Sequence, residues 1–242
     1  MMNWLARLLA GVTVAACLVG GVSAAEADDA WKTTLALGVN ATDGNSDSAQ
    51  ANIDLTAQRK RQADELLLGA RYAYGETSDV ITTRNGKLGA QYNRLFSAQW
   101  YGYLNTSLSY DDIAELDRRF IFGPGVGYYF FKDKAASLGV EFGVAYIEEK
   151  VAGVEDDVVA LRLAERYERA LSETAKVWQS LEYLPQVDDS DNYLLNFEIG
   201  VEATLTSSTN LRVALTDRYD NRPAPGREEN DAALNVALVF NL

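Results

Sequence analysis

The chain has 242 residues with 22 basic and 35 acidic side chains, a formal net charge of −13, no histidine and a single cysteine. The negative charge argues against nucleic acid as a partner, and the lack of histidine excludes hydrolases that use it as general base. We therefore predict a protein that is not an enzyme, with no catalytic residue and no cofactor.

The first 25 residues have the layout of a cleavable secretory signal. Arg7 precedes an apolar run from Leu8 to Val22, and the small residues Ser23 to Ala25 follow, as in a signal peptide. We predict a signal peptide at 1–25 and one domain at 26–242. A lipidation box ending at Cys17 is an alternative, although the residues after it stay apolar where a polar tether is expected.

Beyond residue 30, apolar and polar residues alternate with a period of two. Leu234, Val236 and Leu238, for example, alternate with Asn235 and Ala237, as the two faces of a pleated strand require. Such segments predict twelve strands, at 31–40, 49–59, 64–75, 83–93, 98–110, 118–131, 136–148, 158–169, 174–185, 193–205, 210–219 and 231–242. An even number of strands of this length is typical of a transmembrane barrel.

The connections between these strands alternate between compact turns and longer acidic loops. The longer set carries a net charge of −17 and comprises 41–48, 75–83, 111–117, 148–157, 186–192 and 220–231. Short turns at one end and long loops at the other favour an outer-membrane barrel over a soluble periplasmic β-sandwich. The predicted fold class is all-β, a transmembrane antiparallel up-and-down barrel of about twelve strands, located in the outer membrane.

The inward face of this barrel carries charges of both signs. The predicted lumen lining consists of Arg71, Arg119, Glu141, Arg162, Arg166, Glu182, Glu198, Glu202, Arg212 and Arg218. A mixed lining is compatible with a conducting constriction and with a salt-bridged plug. Inward glycines, including Gly69, Gly89, Gly125, Gly143 and Gly200, leave space and favour a water-filled passage. Glu165 is predicted to face lipid, where a carboxylate is costly.

Acidic residues are predicted to gather at the loop end. An acidic mouth formed by these residues would concentrate cations: Asp111, Asp112, Asp188, Asp189 and Asp191. All five are predicted to lie outside the strands, and loose binding of divalent cations among them is a further hypothesis.

A second acidic segment follows the first strand. Asp43, Asn45 and Asp47 place oxygen ligands at alternate positions, as in a calcium loop, but Ser48 stands where that loop needs glycine. A turn stabilised by Asp and Asn side chains is the simpler interpretation.

Several stretches together resemble a widespread family of salt-stress-induced outer-membrane proteins, classed as a domain of unknown function. They are Leu37-Gly38, Asp43-Gly44-Asn45-Ser46-Asp47, Asn85-Gly86, Leu116 to Arg119 and Gly123 to Tyr128, and the resemblance extends over 31–242. It implies an outer-membrane location and a link to salt stress, and it brings no catalytic residues.

Two functional hypotheses follow. The first is a narrow cation-preferring pore or envelope component, and the second is a non-conducting structural or adhesion barrel whose acidic loops bind divalent cations and lipopolysaccharide. A histidine-free enzyme is less favoured. The predicted partners are outer-membrane lipid, lipopolysaccharide, the barrel assembly machinery and divalent cations, and the barrel is predicted to be a monomer.

Overall fold

The computed structural model describes residues 30–42 and 48–242. Its strands are β1 (Trp31–Thr42), β2 (Ser48–Arg61), β3 (Asp64–Thr77), β4 (Val80–Leu95), β5 (Trp100–Asp111), β6 (Leu116–Lys132), β7 (Ala136–Val151), β8 (Val154–Ala170), β9 (Ala175–Pro185), β10 (Tyr193–Thr204), β11 (Thr209–Asp220) and β12 (Asn230–Asn241). Each strand pairs antiparallel with the next, and β1 pairs with β12 to close a barrel. The predicted twelve-stranded antiparallel barrel is confirmed.

Some predictions lie outside the described residues. These are the signal peptide at 1–25, the lipidation box and the weak metal candidates Asp43, Asn45 and Asp47. In the part of the chain that the structure describes, no helix is long and apolar enough to cross a membrane.

The outer face of the barrel is apolar over its middle. Large side chains that remain exposed there include Leu104, Phe122, Val126, Phe142 and Val213. An apolar outer belt is what a barrel needs in order to face lipid, since its backbone groups are already paired within the sheet. The predicted outward carboxylate, Glu165, does point outward, where it accepts a hydrogen bond of 3.1 Å from Gln179.

Aromatic side chains border this belt at both ends. At one end the Trp100 and Tyr128 rings lie 4.8 Å apart and the Tyr128 and Phe130 rings 5.2 Å apart. At the other, Tyr193 lies between Tyr183 at 5.4 Å and Tyr219 at 5.6 Å. Such girdles mark the two interfaces of a membrane.

Four of the five connections at the Trp100 end, which we call the turn end, share one design. Ser97, Asp133, Ser172 and Thr206 each use a side-chain oxygen to accept a backbone N–H two residues later. In Asp133, hydrogen bonds from the backbone N–H groups of Ala136 and Ala135 hold the pKa of the carboxyl below its usual value. Each turn therefore stabilises itself locally.

The opposite end, the loop end, differs from the prediction. The expected loops 75–83 and 148–157 are two-residue turns, Ser78-Asp79 and Ala152-Gly153, whose φ angles are 50°, 64°, 50° and 79°. Two adjacent positive φ angles are typical of the tight turns that join twisted strands. We predicted the ends of these strands from the point where apolar and polar residues stop alternating. A strand that extends beyond the lipid needs no apolar face, so it can continue past that point.

The seam between β1 and β12 is the shortest interface of the described barrel. It has four residue pairs, from Thr34 with Asn241 to Leu37 with Leu238, whereas β1 pairs with β2 along its whole length. On the inside, Ala36, Ala237 and Val239 pack together behind the seam.

Candidate functional site

The lumen face follows from strand register, because residues paired across neighbouring strands point to the same side of a sheet. Tyr101 and Tyr103 of β5 are buried inside the barrel, and this fixes the inward set on every other strand. The inward set contains all of the charged residues predicted to line the lumen: Arg71, Arg119, Glu141, Arg162, Arg166, Glu182, Glu198, Glu202, Arg212 and Arg218.

One part of the lumen is densely filled. We call the inner face of β5–β10 the packed wall. There, Arg162 donates hydrogen bonds of 2.6 Å to both Glu141 and Glu182, and its side chain is only 6% exposed. Tyr101 donates to Glu141 at 2.9 Å, and the Arg162 guanidinium lies 5.0 Å from the centre of the Tyr103 ring.

The glycines of the packed wall do not leave a passage, contrary to our expectation. A Cβ on Gly125 or Gly143 would collide with the Tyr103 side chain, and one on Gly200 would collide with Trp178. The missing side chains therefore make room for aromatic rings from neighbouring strands. Sequence alone does not reveal this, because the ring and its glycine are far apart along the chain.

The inner face of β1–β4, which we call the open wall, is sparsely filled. A Cβ added to Gly69 would meet no atom within 4 Å, and one on Gly89 would meet only a backbone oxygen of Thr106 at 3.8 Å. Gly69 and Gly89 are direct partners across β3 and β4. Of the predicted inward glycines, these two do keep space open.

Arg71 stands next to this space, in the middle of β3. It donates hydrogen bonds to Asp54 on the neighbouring strand and, at 3.1 Å, to Glu198 on the far side of the barrel. Its side chain is nevertheless 49% exposed. The lumen therefore has room for water beside Arg71.

Further ion pairs cross the lumen nearer the loop end. Arg218 of β11 bonds to Asp111 of β5 at 2.8 Å, and Arg119 of β6 bonds to Asp220 of β11 at 2.7 Å. Asp220 was expected in the loop 220–231, whereas it is the last residue of β11. These pairs narrow the lumen from opposite walls.

Lumen charges near the turn end have closer partners. Glu202 accepts from Arg212 at 2.8 Å, and Lys132 donates to the buried Glu65 at 2.6 Å. Arg166 is exposed and has no ion pair in the described residues. A polar cavity of about 350 Å³ opens at this end, with four acidic and two basic side chains among its lining: Asp133, Glu168, Glu173, Glu202, Lys134 and Lys176.

The acidic mouth is only partly as predicted. Asp111 was expected in a loop, but it ends β5, is 4% exposed and accepts hydrogen bonds from the N–H groups of Ile113 and Ala114. The strand continues to Asp111 because this carboxylate pairs with Arg218 in the lumen.

The other four mouth residues lie in loops, and two of them have basic partners. Asp112 pairs with Arg84, and Asp189 pairs with Arg222 at 2.7 Å. Across the described ranges, Asp188 and Asp191 form no ion pair, and no group of three or more acidic side chains is placed to hold a metal ion.

Comparison with known proteins identifies the architecture. A family model described as "Protein of unknown function, DUF481" matches residues 35–242. A structure described as "NanC porin structure in rhombohedral crystal form" is 9% identical, with a TM-score of 0.54 and coverage of 87% of this chain and 100% of that chain. The likeness to NanC shows that the chain has the fold of an outer-membrane porin.

Two further solved structures are similar at lower scores. The COG4313 outer membrane channel from Pseudomonas putida F1 is 11% identical, with a TM-score of 0.49 and coverage of 91% of this chain and 100% of that one. A structure described as "KdgM porin" is 9% identical, with a TM-score of 0.48 and coverage of 88% and 99%. A search of curated protein sequences finds no match.

Proposed function

The chain belongs to the DUF481 family, and we propose that it forms a narrow water-filled passage for small solutes across the outer membrane. The passage runs along the open wall. The proposal includes export by the signal at 1–25, insertion as a monomer by the barrel assembly machinery, and a role under salt or osmotic stress. It involves no enzymatic step.

The half-exposed side chain of Arg71 is the observation that carries this proposal. In a barrel without water, neighbouring side chains would cover a charged group, as they cover Arg162. Such a covered charge must be paired, because burying an unpaired charge costs several kcal/mol. Arg71 has two carboxylate partners and still keeps 49% of its side chain exposed. Room for water in mid-barrel is the minimum that conduction requires.

We also include a preference for cations. The charges that support it lie at both ends, in Asp188 and Asp191 at the loop end and in the excess of acidic over basic side chains around the turn-end cavity. Acidic entrances raise the local concentration of cations. The preference should be weak, because Asp111, Asp112 and Asp189 are paired with arginines.

Single-channel recording in planar bilayers tests the proposal. We expect discrete conductance steps from the folded barrel and none from heat-denatured protein. Across a KCl gradient near 0.1 M, where the screening length is about 10 Å, the reversal potential should have the sign of a cation-preferring pore. An anion-preferring potential would contradict the selectivity, and a silent barrel would contradict the pore.

The ion pairs that cross the lumen favour a second candidate, a closed structural barrel. Arg71–Glu198, Arg218–Asp111 and Arg119–Asp220 join opposite walls at three places. In this case the wild-type barrel is silent, and the acidic loops serve to bind divalent cations and lipopolysaccharide. Conductance that appears only after Arg71→Ala and Arg218→Ala are combined would support this candidate over the open passage.

A further inference from the structure

We infer that the open wall carries a binding subsite for a small hydroxylated carboxylate anion, formed by Lys87 and Arg71 beside the open surface of Gly69 and Gly89. The inference deepens the proposed function by naming a class of solute. It rests on that function only because the anion must reach the lumen.

The glycine pair provides the space. Gly69 and Gly89 lie side by side in one row across the wall, with Thr56 beside Gly69 and Ser107 beside Gly89. No described side chain fills the space above Gly69, in contrast to the glycines of the packed wall. Close approach of a ligand to the backbone is a common reason for glycine inside a strand.

The next row toward the loop end supplies the positive charge. Arg71 and Lys87 are direct partners across β3 and β4, two residues along from Gly69 and Gly89. Two residues of a strand span about 7 Å, which is within reach of a lysine or arginine side chain. Both cations therefore stand at the edge of the same space.

The donors of these two cations are not used up by the protein. Within residues 30–42 and 48–242, Lys87 makes no hydrogen bond and no ion pair, although it is an exposed lumen residue. Arg71 uses its Nε and Nη1 atoms for Asp54 and Glu198, and its Nη2 atom has no bond in the described residues. An ammonium and a guanidinium edge together suit a carboxylate group.

The carboxylates around Lys87 are already engaged. Among the charged groups that act most strongly on it are Glu182, Arg71, Arg218 and Arg162. Glu182, the one carboxylate in this set, accepts hydrogen bonds from Arg162 at 2.6 Å and from Asn196 at 3.2 Å. The three arginines are themselves paired with carboxylates, so Lys87 is the cation of this group that has no ion pair in the described residues.

Hydroxyl groups beside the glycine pair define the rest of the ligand. Thr34 and Thr56 are joined by a hydrogen bond of 2.6 Å, and one of the two hydroxyls keeps its proton free for a ligand. They suit a solute whose carboxylate is attached to a hydroxylated chain. Acidic entrances do not prevent entry, since exposed charges are screened within about 8 Å at physiological salt.

Current block by gluconate, with sorbitol as the neutral comparison, tests the subsite. We expect sodium gluconate to reduce the current through the wild-type barrel with saturation, and sorbitol to have little effect. Lys87→Gln should raise the half-blocking concentration about tenfold or more, the loss expected when a charge-assisted hydrogen bond is removed. Gly69→Leu, which fills the space, should also abolish the block.

Lys32→Gln is the matched control. Lys32 is another exposed lumen lysine without an ion pair in the described residues. It lies in the row of Gln58, on the other side of the glycine pair from Lys87. It should leave the half-blocking concentration unchanged. Equal block by sorbitol, or equal loss in Lys87→Gln and Lys32→Gln, would overturn the inference.

Calorimetric titration of the detergent-solubilised barrel with gluconate separates this inference from the pore. Saturable binding that is lost in Lys87→Gln would support the subsite even if the bilayer stays silent. A conducting barrel that neither binds nor is blocked by gluconate would leave the pore standing and refute the subsite.

Discussion

Arg71 on the open wall and Arg162 on the packed wall make the same kind of contact in different surroundings. Each bonds to two carboxylates inside the barrel, but their side chains are 49% and 6% exposed. The two arginines make equivalent ion pairs, but the side chain of Arg71 is far more accessible to water than that of Arg162. Under the proposed function, the packed wall stabilises the barrel and the open wall determines what passes through it.

The largest expected effect concerns stability. Arg162→Gln leaves Glu141 and Glu182 without their cation in a covered site, so we expect a loss of about 3–5 kcal/mol in the free energy of unfolding. Arg71→Gln, where water screens the remaining carboxylates, should cost about 1 kcal/mol or less. Urea unfolding followed by the gel mobility of the folded barrel measures both, and equal losses would remove the distinction between the walls.

The glycines extend the same comparison. A Cβ on Gly143 would lie 2.5 Å from the carbonyl oxygen of Pro124 as well as against Tyr103. Overpacking of this kind typically costs about 1–3 kcal/mol, so Gly143→Ala should destabilise the barrel by that amount. Gly69→Ala, which meets nothing, should stay within about 0.5 kcal/mol of the wild type. If Gly69→Ala destabilises as much, the space above Gly69 is filled.

The strands and the inward face could be predicted from sequence. Lipid requires apolar residues on the outer face, and because alternate residues of a strand point to opposite faces, the residues between them face the lumen. Glu141, Arg162 and Glu182 could be placed in the lumen for that reason. The contacts between Tyr103 and Gly143, or between Arg71 and Glu198, could not be predicted. They depend on strand register and on which strands face each other across a closed ring.

The walls should also differ in conductance. Arg71→Ala removes a side chain that reaches across the lumen to Glu198, so we expect larger single-channel steps. Arg118→Ala is a suitable control, because Arg118 pairs on the outer face with Glu148 at 3.1 Å and Glu155 at 3.3 Å. Unchanged steps in Arg71→Ala would mean that the narrowest point lies elsewhere.

The smallest expected effect concerns ion selectivity. Neutralising Asp112, Asp188, Asp189 and Asp191 together should move the reversal potential toward zero. The shift should shrink as salt rises, since the screening length falls from about 10 Å at 0.1 M to about 3 Å at 1 M. The barrel should keep its stability, because these residues lie outside the strands. Asp111 is left in place, since it is buried and bonded to Arg218. No change in potential would assign selectivity to the lumen.

The short seam between β1 and β12 has a consequence for the dynamics of the wall. A closed sheet opens by losing one interface, and the interface with four residue pairs should open before the longer ones. Backbone amide protons of Leu35 and Leu37 that point toward β12 should therefore exchange with deuterium sooner than those between β6 and β7, since exchange follows local opening. The barrel would then open transiently along the β1–β12 interface, while the amide protons in the rest of the sheet stay protected from exchange.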